Sequence, residues 1–109
     1  MEIRNHILQG ENINFILSPN RGDFYEDGAL DTIIIHYTAS GSAASAIETL
    51  TDIDRQVSAH LVIGRDGQIS QLLPFNVIGW HAGVSRWGIR EGFNKYSIGI
   101  EIDNAGMLE

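Results

Sequence analysis

Three histidines and one glutamate carry the chemistry available to this chain: His36 at the end of the apolar run Thr32-Ile33-Ile34-Ile35-His36-Tyr37-Thr38, His60 in Val57-Ser58-Ala59-His60-Leu61, His81 in Gly79-Trp80-His81-Ala82-Gly83, and Glu101 in Ser97-Ile98-Gly99-Ile100-Glu101-Ile102-Asp103. A neutral imidazole held on a rigid strand is a good zinc ligand, because one ring nitrogen can face the metal while the other meets an orienting acceptor. A carboxylate near such a metal can take a proton from water. The four groups therefore fit a hydrolytic zinc site. Their spacing leaves open which histidines would bind, and no HExxH pair exists, so the site must be assembled from distant segments. A plainer reading stands beside it, in which the histidines only hydrogen-bond within the packing and Glu101 is a solvated strand carboxylate.

The elements that must position these groups follow from local pattern. The β-branched run 32–38 predicts a strand buried on both faces. Residues 97–103 alternate strictly, so Ile98, Ile100 and Ile102 point to a core while Ser97, Gly99, Glu101 and Asp103 point away from it. Asn12 to Leu17 predicts a short early strand closed by the turn residues Ser18-Pro19-Asn20-Arg21-Gly22. Ser45 with Glu48 has the form of a capping box, and Ala43, Ala46, Ile47 and Leu50 mark the inner face of a short helix. Val57 to Ile63, the turn Arg65-Asp66-Gly67 and Gln68 to Leu73 predict a β-hairpin, and Gly79 to Gly92 a glycine-punctuated loop. Strands, a helix and crossovers in this order predict an α/β fold with a mixed central sheet.

Length and charge narrow the partners. At 109 residues the chain is one domain, able to bury roughly 65% of its unfolded surface. Seven Lys and Arg against 14 Asp and Glu leave a net charge of −7, which repels nucleic acid and anionic lipid surfaces. No apolar stretch reaches the roughly 20 residues of a membrane span. The start, Met1-Glu2-Ile3-Arg4-Asn5-His6, lacks a secretory plan, so a cytoplasmic location is favoured over an extracellular or periplasmic one. The absence of cysteine excludes disulfides, thiolate ligands and a thiol nucleophile.

Five segments occur in register: Ile34-Ile35-His36-Tyr37-Thr38-Ala39, Val57-Ser58-Ala59-His60, Arg65-Asp66-Gly67-Gln68-Ile69, Gly79-Trp80-His81-Ala82-Gly83 and Ser97-Ile98-Gly99-Ile100-Glu101. In this the chain resembles the zinc-dependent N-acetylmuramoyl-L-alanine amidases of the type 2 amidase family, relatives of phage T7 lysozyme and the peptidoglycan recognition proteins, over about residues 30 to 104. The resemblance implies a mixed central β-sheet flanked by helices, a Zn2+ cofactor at the strand ends, and cleavage of the amide between the lactyl group of N-acetylmuramic acid and L-alanine in peptidoglycan or muropeptides. It makes His36 the first zinc ligand and Glu101 the catalytic carboxylate, whereas some relatives use a tyrosine where this chain has Ala59. His60 then becomes a hydrogen-bonded structural residue. Trp80 and His81 are then expected to line the saccharide or peptide groove, and Arg90 and Asn94, because a guanidinium pairs well with carboxylates, are expected to reach a substrate carboxylate or amide.

Relatives run on past the Gly-Ile-Glu strand to a long helix and two further zinc ligands, while this sequence stops at Glu109. The expectation is a single, partial type 2 amidase domain over residues 1–109, inactive alone, with one sheet face left bare. Such a face invites a homodimer or a complementing C-terminal chain. Two rival expectations remain: a non-catalytic peptidoglycan-recognition module, and a metal site formed entirely from His36, His60, His81 and Glu101.

Overall fold

The computed structural model describes residues 1–38, 41–82, 86–87 and 90–103, of which 86, 87, 90 and 91 are described by their backbone alone. Among the described residues, nine strands and one α-helix follow in the order β1 (Glu2–Arg4), β2 (Ile7–Gln9), β3 (Ile13–Phe15), β4 (Thr32–Tyr37), α1 (Ala43–Leu50), β5 (Leu61–Ile63), β6 (Ile69–Gln71), β7 (Arg86–Trp87), β8 (Arg90–Glu91) and β9 (Ser97–Ile102), with a 3-10 turn at Phe93–Tyr96. The central sheet has the order β3-β6-β5-β9-β4. Only β5 and β6 run antiparallel; β3 with β6, β5 with β9 and β9 with β4 are parallel. This is the mixed sheet expected.

Local chemistry accounts for the connections. The β5–β6 hairpin closes where Asp66 Oδ1 accepts from Gln68 N at 3.0 Å and Gly67 takes a φ of 87°, a left-handed conformation that glycine adopts without strain. The β1–β2 hairpin, absent from the sequence reading, turns through Asn5 and His6, both at positive φ as a two-residue primed turn requires. Gln71 docks it, accepting from Leu8 N at 2.7 Å and donating to His6 O at 3.1 Å. Residues 79–92, expected as loop, contain the short β7–β8 pair.

Helix α1 has eight residues, too few to hold itself in water, so its stability comes from its contacts. Ala43, Ala46 and Ile47 pack with Leu50 against Ala59, Val62 and Leu72. Burying each leucine here is worth about 1.5–3 kcal/mol. The cap lies three residues before the one expected: Ser42 is the N-cap and Ser45 its N3 partner, each hydroxyl accepting the other's backbone N–H. Ser45 therefore closes the box from inside the helix, with no part for Glu48. The far end is held by Ser18, whose hydroxyl donates to Leu50 O at 2.6 Å, and by Asn20, whose amide donates to Asp52 O and Val57 O.

The two faces of the sheet differ from expectation. Strand β4 is not buried on both sides: Ile33 and Ile35 are 63% and 51% exposed. It lies at the sheet edge, and among the described residues no element packs over its odd-numbered face. Ile98 and Ile100 share that face with Ile33 and Leu61 and line an open apolar hollow of about 680 Å3. The covered face is the one bearing Ser97, Gly99 and Val62, where α1 and the histidine loop pack. The isoleucines of β9 are thus half-buried rather than a closed core.

Candidate active site

The site lies on the covered face, at the β4–β9 seam. His36 and Glu101 are direct register partners on these parallel strands, so their side chains leave the sheet on the same side. Glu101 borders a cleft of about 220 Å3 whose other wall is α1, with Thr38, Ser42, Ser45 and Thr49 supplying hydroxyls and Leu50 an apolar floor. Burial pushes the Glu101 carboxyl above the ordinary carboxylate range, and the nearby His36 imidazole draws it partly back. A carboxylate tuned upward is a stronger base at neutral pH than a free one.

His81 crosses the face beside them. Its Nδ1 lies 3.3 Å from His36 Nε2, and its Nε2 lies 3.2 Å from Ser97 Oγ. The ring occupies the space where any side chain at 99 would stand: a Cβ on Gly99 would come within 2.4 Å of its Cγ. Glycine is required there by close approach. Burial, with the neighbouring imidazoles His60 and His36 disfavouring a third positive charge, lowers the His81 pKa to about 4, so the ring is neutral. Asn94 fixes the backbone behind the ring, its Oδ1 accepting from His81 N at 3.0 Å and Ala82 N at 2.8 Å.

His60 is fully buried and serves the structure. Its Nδ1 accepts from Gly99 N at 3.2 Å, which leaves the proton on Nε2, facing Val77 O at 2.6 Å and the Tyr25 hydroxyl at 3.3 Å. Burial also lowers its pKa. Tyr25 in turn donates to Ser97 O. Trp80 is half-buried, its backbone clamped to Ser58 through Ser58 N to Trp80 O at 3.0 Å and Trp80 N to Ser58 Oγ at 2.9 Å. Arg90 lies in β8, and its side chain falls outside the described residues.

Sequence reasoning thus named the groups that the fold brings together, His36, His81 and Glu101, and missed those that hold them. Ser97 and Gly99 stand in the Glu101 motif without a role assigned to them, and Asp103 and Tyr25 lie in none of the five motifs. The one signal for the first two is their smallness on the β9 face opposite the isoleucines, which leaves room for a ring to lie across the strand.

The sequence profile of the N-acetylmuramoyl-L-alanine amidase family matches residues 26–109, most of the chain and every residue of the site just described but Tyr25. The chain belongs to this family. Two Escherichia coli K12 proteins are similar in sequence. 1,6-anhydro-N-acetylmuramyl-L-alanine amidase AmpD is 51% identical over 53 residues, 49% of this chain and 29% of AmpD. N-acetylmuramoyl-L-alanine amidase AmiD is 38% identical over 84 residues, 71% of this chain and 29% of AmiD. The matched stretch therefore spans less than a third of these curated relatives. In three dimensions the crystal structure of a selenomethionine AmpD derivative superposes with a TM-score of 0.82 at 29% identity, over 99% of this chain and 69% of that one. AmiD of E. coli, in complex with anhydro-N-acetylmuramic acid-L-Ala-D-γ-Glu-L-Lys, gives 0.63 at 38% identity, over 75% and 33%.

The family is generally zinc-dependent. A catalytic zinc centre takes three protein ligands and keeps a fourth position open. Among the described residues no group of three His, Cys, Asp or Glu side chains is placed to hold a metal ion. His36 fits as one nitrogen ligand, and the donor set of the described residues goes no further.

Proposed function

We propose that residues 1–109 form a single, partial domain of a zinc-dependent N-acetylmuramoyl-L-alanine amidase, hydrolysing the amide between N-acetylmuramic acid and L-alanine in peptidoglycan or muropeptides. The observation that carries this reading is the pairing of His36 with Glu101 on adjacent strands, beside a hydroxyl-lined cleft. The names of AmpD and the ligand of the AmiD complex support anhydromuramyl peptides as the substrate class.

In this reading Glu101 takes a proton from the water that attacks the lactyl carbonyl. The carbon–nitrogen bond then breaks, and Glu101 returns the proton to the departing amine of L-alanine. Its raised pKa suits both halves of that exchange. Zinc, when bound with His36 as one ligand and the others from outside the described residues, would supply a Lewis acid for the carbonyl oxygen. Trp80, His81, Arg90 and Asn94 are the residues proposed to line the groove; Trp80 offers a flat face to a sugar ring. Asn94 would act there in addition to holding the His81 backbone.

A partner is part of the proposal. The exposure of Ile33 and Ile35 supports a homodimer or a complementing C-terminal chain over the isoleucine face. A monomer by light scattering, with no companion peptide by mass spectrometry, would refute this.

The activity is tested on the intact gene product by metal analysis and by release of stem peptide from an anhydromuramyl peptide. Stoichiometric zinc with peptide release is the expected result. Zinc and substrate binding without release would instead establish the recognition-module reading.

A further inference from the structure

A chain of hydrogen bonds runs from a backbone carbonyl to His36, and its direction is determined at the far end. The Ser97 hydroxyl donates to Phe93 O at 2.6 Å. Its single proton is thereby used, so toward His81 Nε2, 3.2 Å away, Ser97 Oγ can only accept. His81 therefore carries its proton on Nε2. A neutral ring protonated there has an unprotonated Nδ1, which accepts from His36 Nε2 at 3.3 Å. His36 then keeps its proton on Nε2 and presents a bare lone pair at Nδ1.

We propose that His81 is a positioning residue: with Ser97 and the Phe93 carbonyl it sets the tautomer of His36, so that Nδ1 is the nitrogen offered to a metal. The proposal rests on the amidase reading for the identity of that metal, and on geometry alone for the tautomer. The packing supports it. Gly99 lets the His81 ring lie flat across β9, and Asn94 holds the backbone of His81 and Ala82, so the ring has little freedom to turn its nitrogens over. Second-layer partners of this sort orient metal-bound imidazoles and raise their basicity.

Long-range proton–nitrogen NMR of the 15N-labelled full chain, free of metal and at about pH 8 where imidazoles are neutral, reads the tautomer of each ring directly. Expected are Nε2–H forms for both His36 and His81. Ser97→Ala removes the acceptor and should shift the His36 tautomer ratio by about fivefold toward Nδ1–H. His81→Asn, which keeps an acceptor oxygen near the Nδ1 position, should hold the wild-type ratio, whereas His81→Leu should not. The proposal is overturned if wild-type His36 is found as Nδ1–H, or if Ser97→Ala leaves its ratio unchanged. A zinc titration in which His36 Nε2 and His81 Nδ1 both respond as ligands would overturn it too, because the 3.3 Å separation would then be an edge of a shared coordination shell. None of these readings involves turnover, so the relay can fail with the amidase reading intact, and the reverse.

Discussion

His36 and Glu101 stand opposite one another in the β4–β9 ladder, 65 residues apart in sequence and joined by six consecutive parallel register pairs. That register places an imidazole and a carboxylate on one face with no loop between them, so their separation is set by the sheet. A one-residue slip of β9 would send Glu101 to the isoleucine face and bring an isoleucine beside His36. The chemistry proposed here depends on that pairing.

Glu101→Gln is expected to lower turnover of the intact enzyme by about 10²-fold or more while zinc content stays unchanged. Stem-peptide release measured beside metal analysis separates the two. Turnover within a fewfold of wild type would remove Glu101 from the mechanism.

The same residue predicts a pH effect. Glu101 must be ionised to act as base, and its pKa is raised, so the acid limb of kcat/KM should lie above the ordinary carboxylate range and disappear in Glu101→Gln. A carboxyl whose pKa is raised on folding stabilises the protein at low pH, and loses that contribution as pH climbs through the folded value. Glu101→Gln should therefore raise the Tm at neutral pH and leave it little changed in acid, as calorimetry can show.

The buried His60 and the half-buried His81 give the opposite sign. His60 and His81 have pKa values below the ordinary 6.5, so below that pH the unfolded chain binds protons that the folded chain refuses. Stability should be full above pH 6.5 and fall progressively toward pH 4, where His81 itself titrates. Denaturant midpoints across this window measure the slope, and a flat profile would contradict the burial of these rings.

Asp103 ties three elements together. One carboxylate oxygen accepts from Ala43 N at the start of α1 at 3.0 Å, and the other from Arg65 Nε at 3.1 Å and the Thr38 hydroxyl at 3.4 Å. Because the group is nearly buried, Asp103→Ala should cost about 2–3 kcal/mol in urea unfolding. Arg65→Ala should cost under about 1 kcal/mol, since its side chain is largely in water.

Gly99→Ala tests the close approach of the His81 ring. The methyl group has no room, so a loss of about 1–3 kcal/mol is expected, together with displaced His81 resonances. A neutral substitution would show that the ring can lie elsewhere at no cost.

Local pattern was enough for the β5–β6 hairpin, the inner face of α1, the strand at 32–37 and the alternation that sets Glu101 apart from its isoleucine neighbours. It was enough also for the family, since five motifs keep their order along the chain. Each of these is written in residues a few positions apart, where periodicity, turn chemistry and side-chain type act directly. The start of α1 departs from the local pattern because Ser42 and Ser45 can both cap, and the helix begins where each bonds the other's backbone.

What the chain could not show locally is everything decided by non-neighbouring strands. Sheet order put β4 at an edge, which turned an apolar run that reads as buried on both faces into one with Ile33 and Ile35 in the open. Parallel register brought His36 to Glu101, and the smallness of Gly99 and Ser97 let His81 lie across β9 within 3.3 Å of His36. Residue types and short spacings therefore determined which groups could do chemistry. Only the tertiary structure decided which of them meet, because pairing across a sheet depends on the sum of many distant contacts and not on the sequence around any one of them.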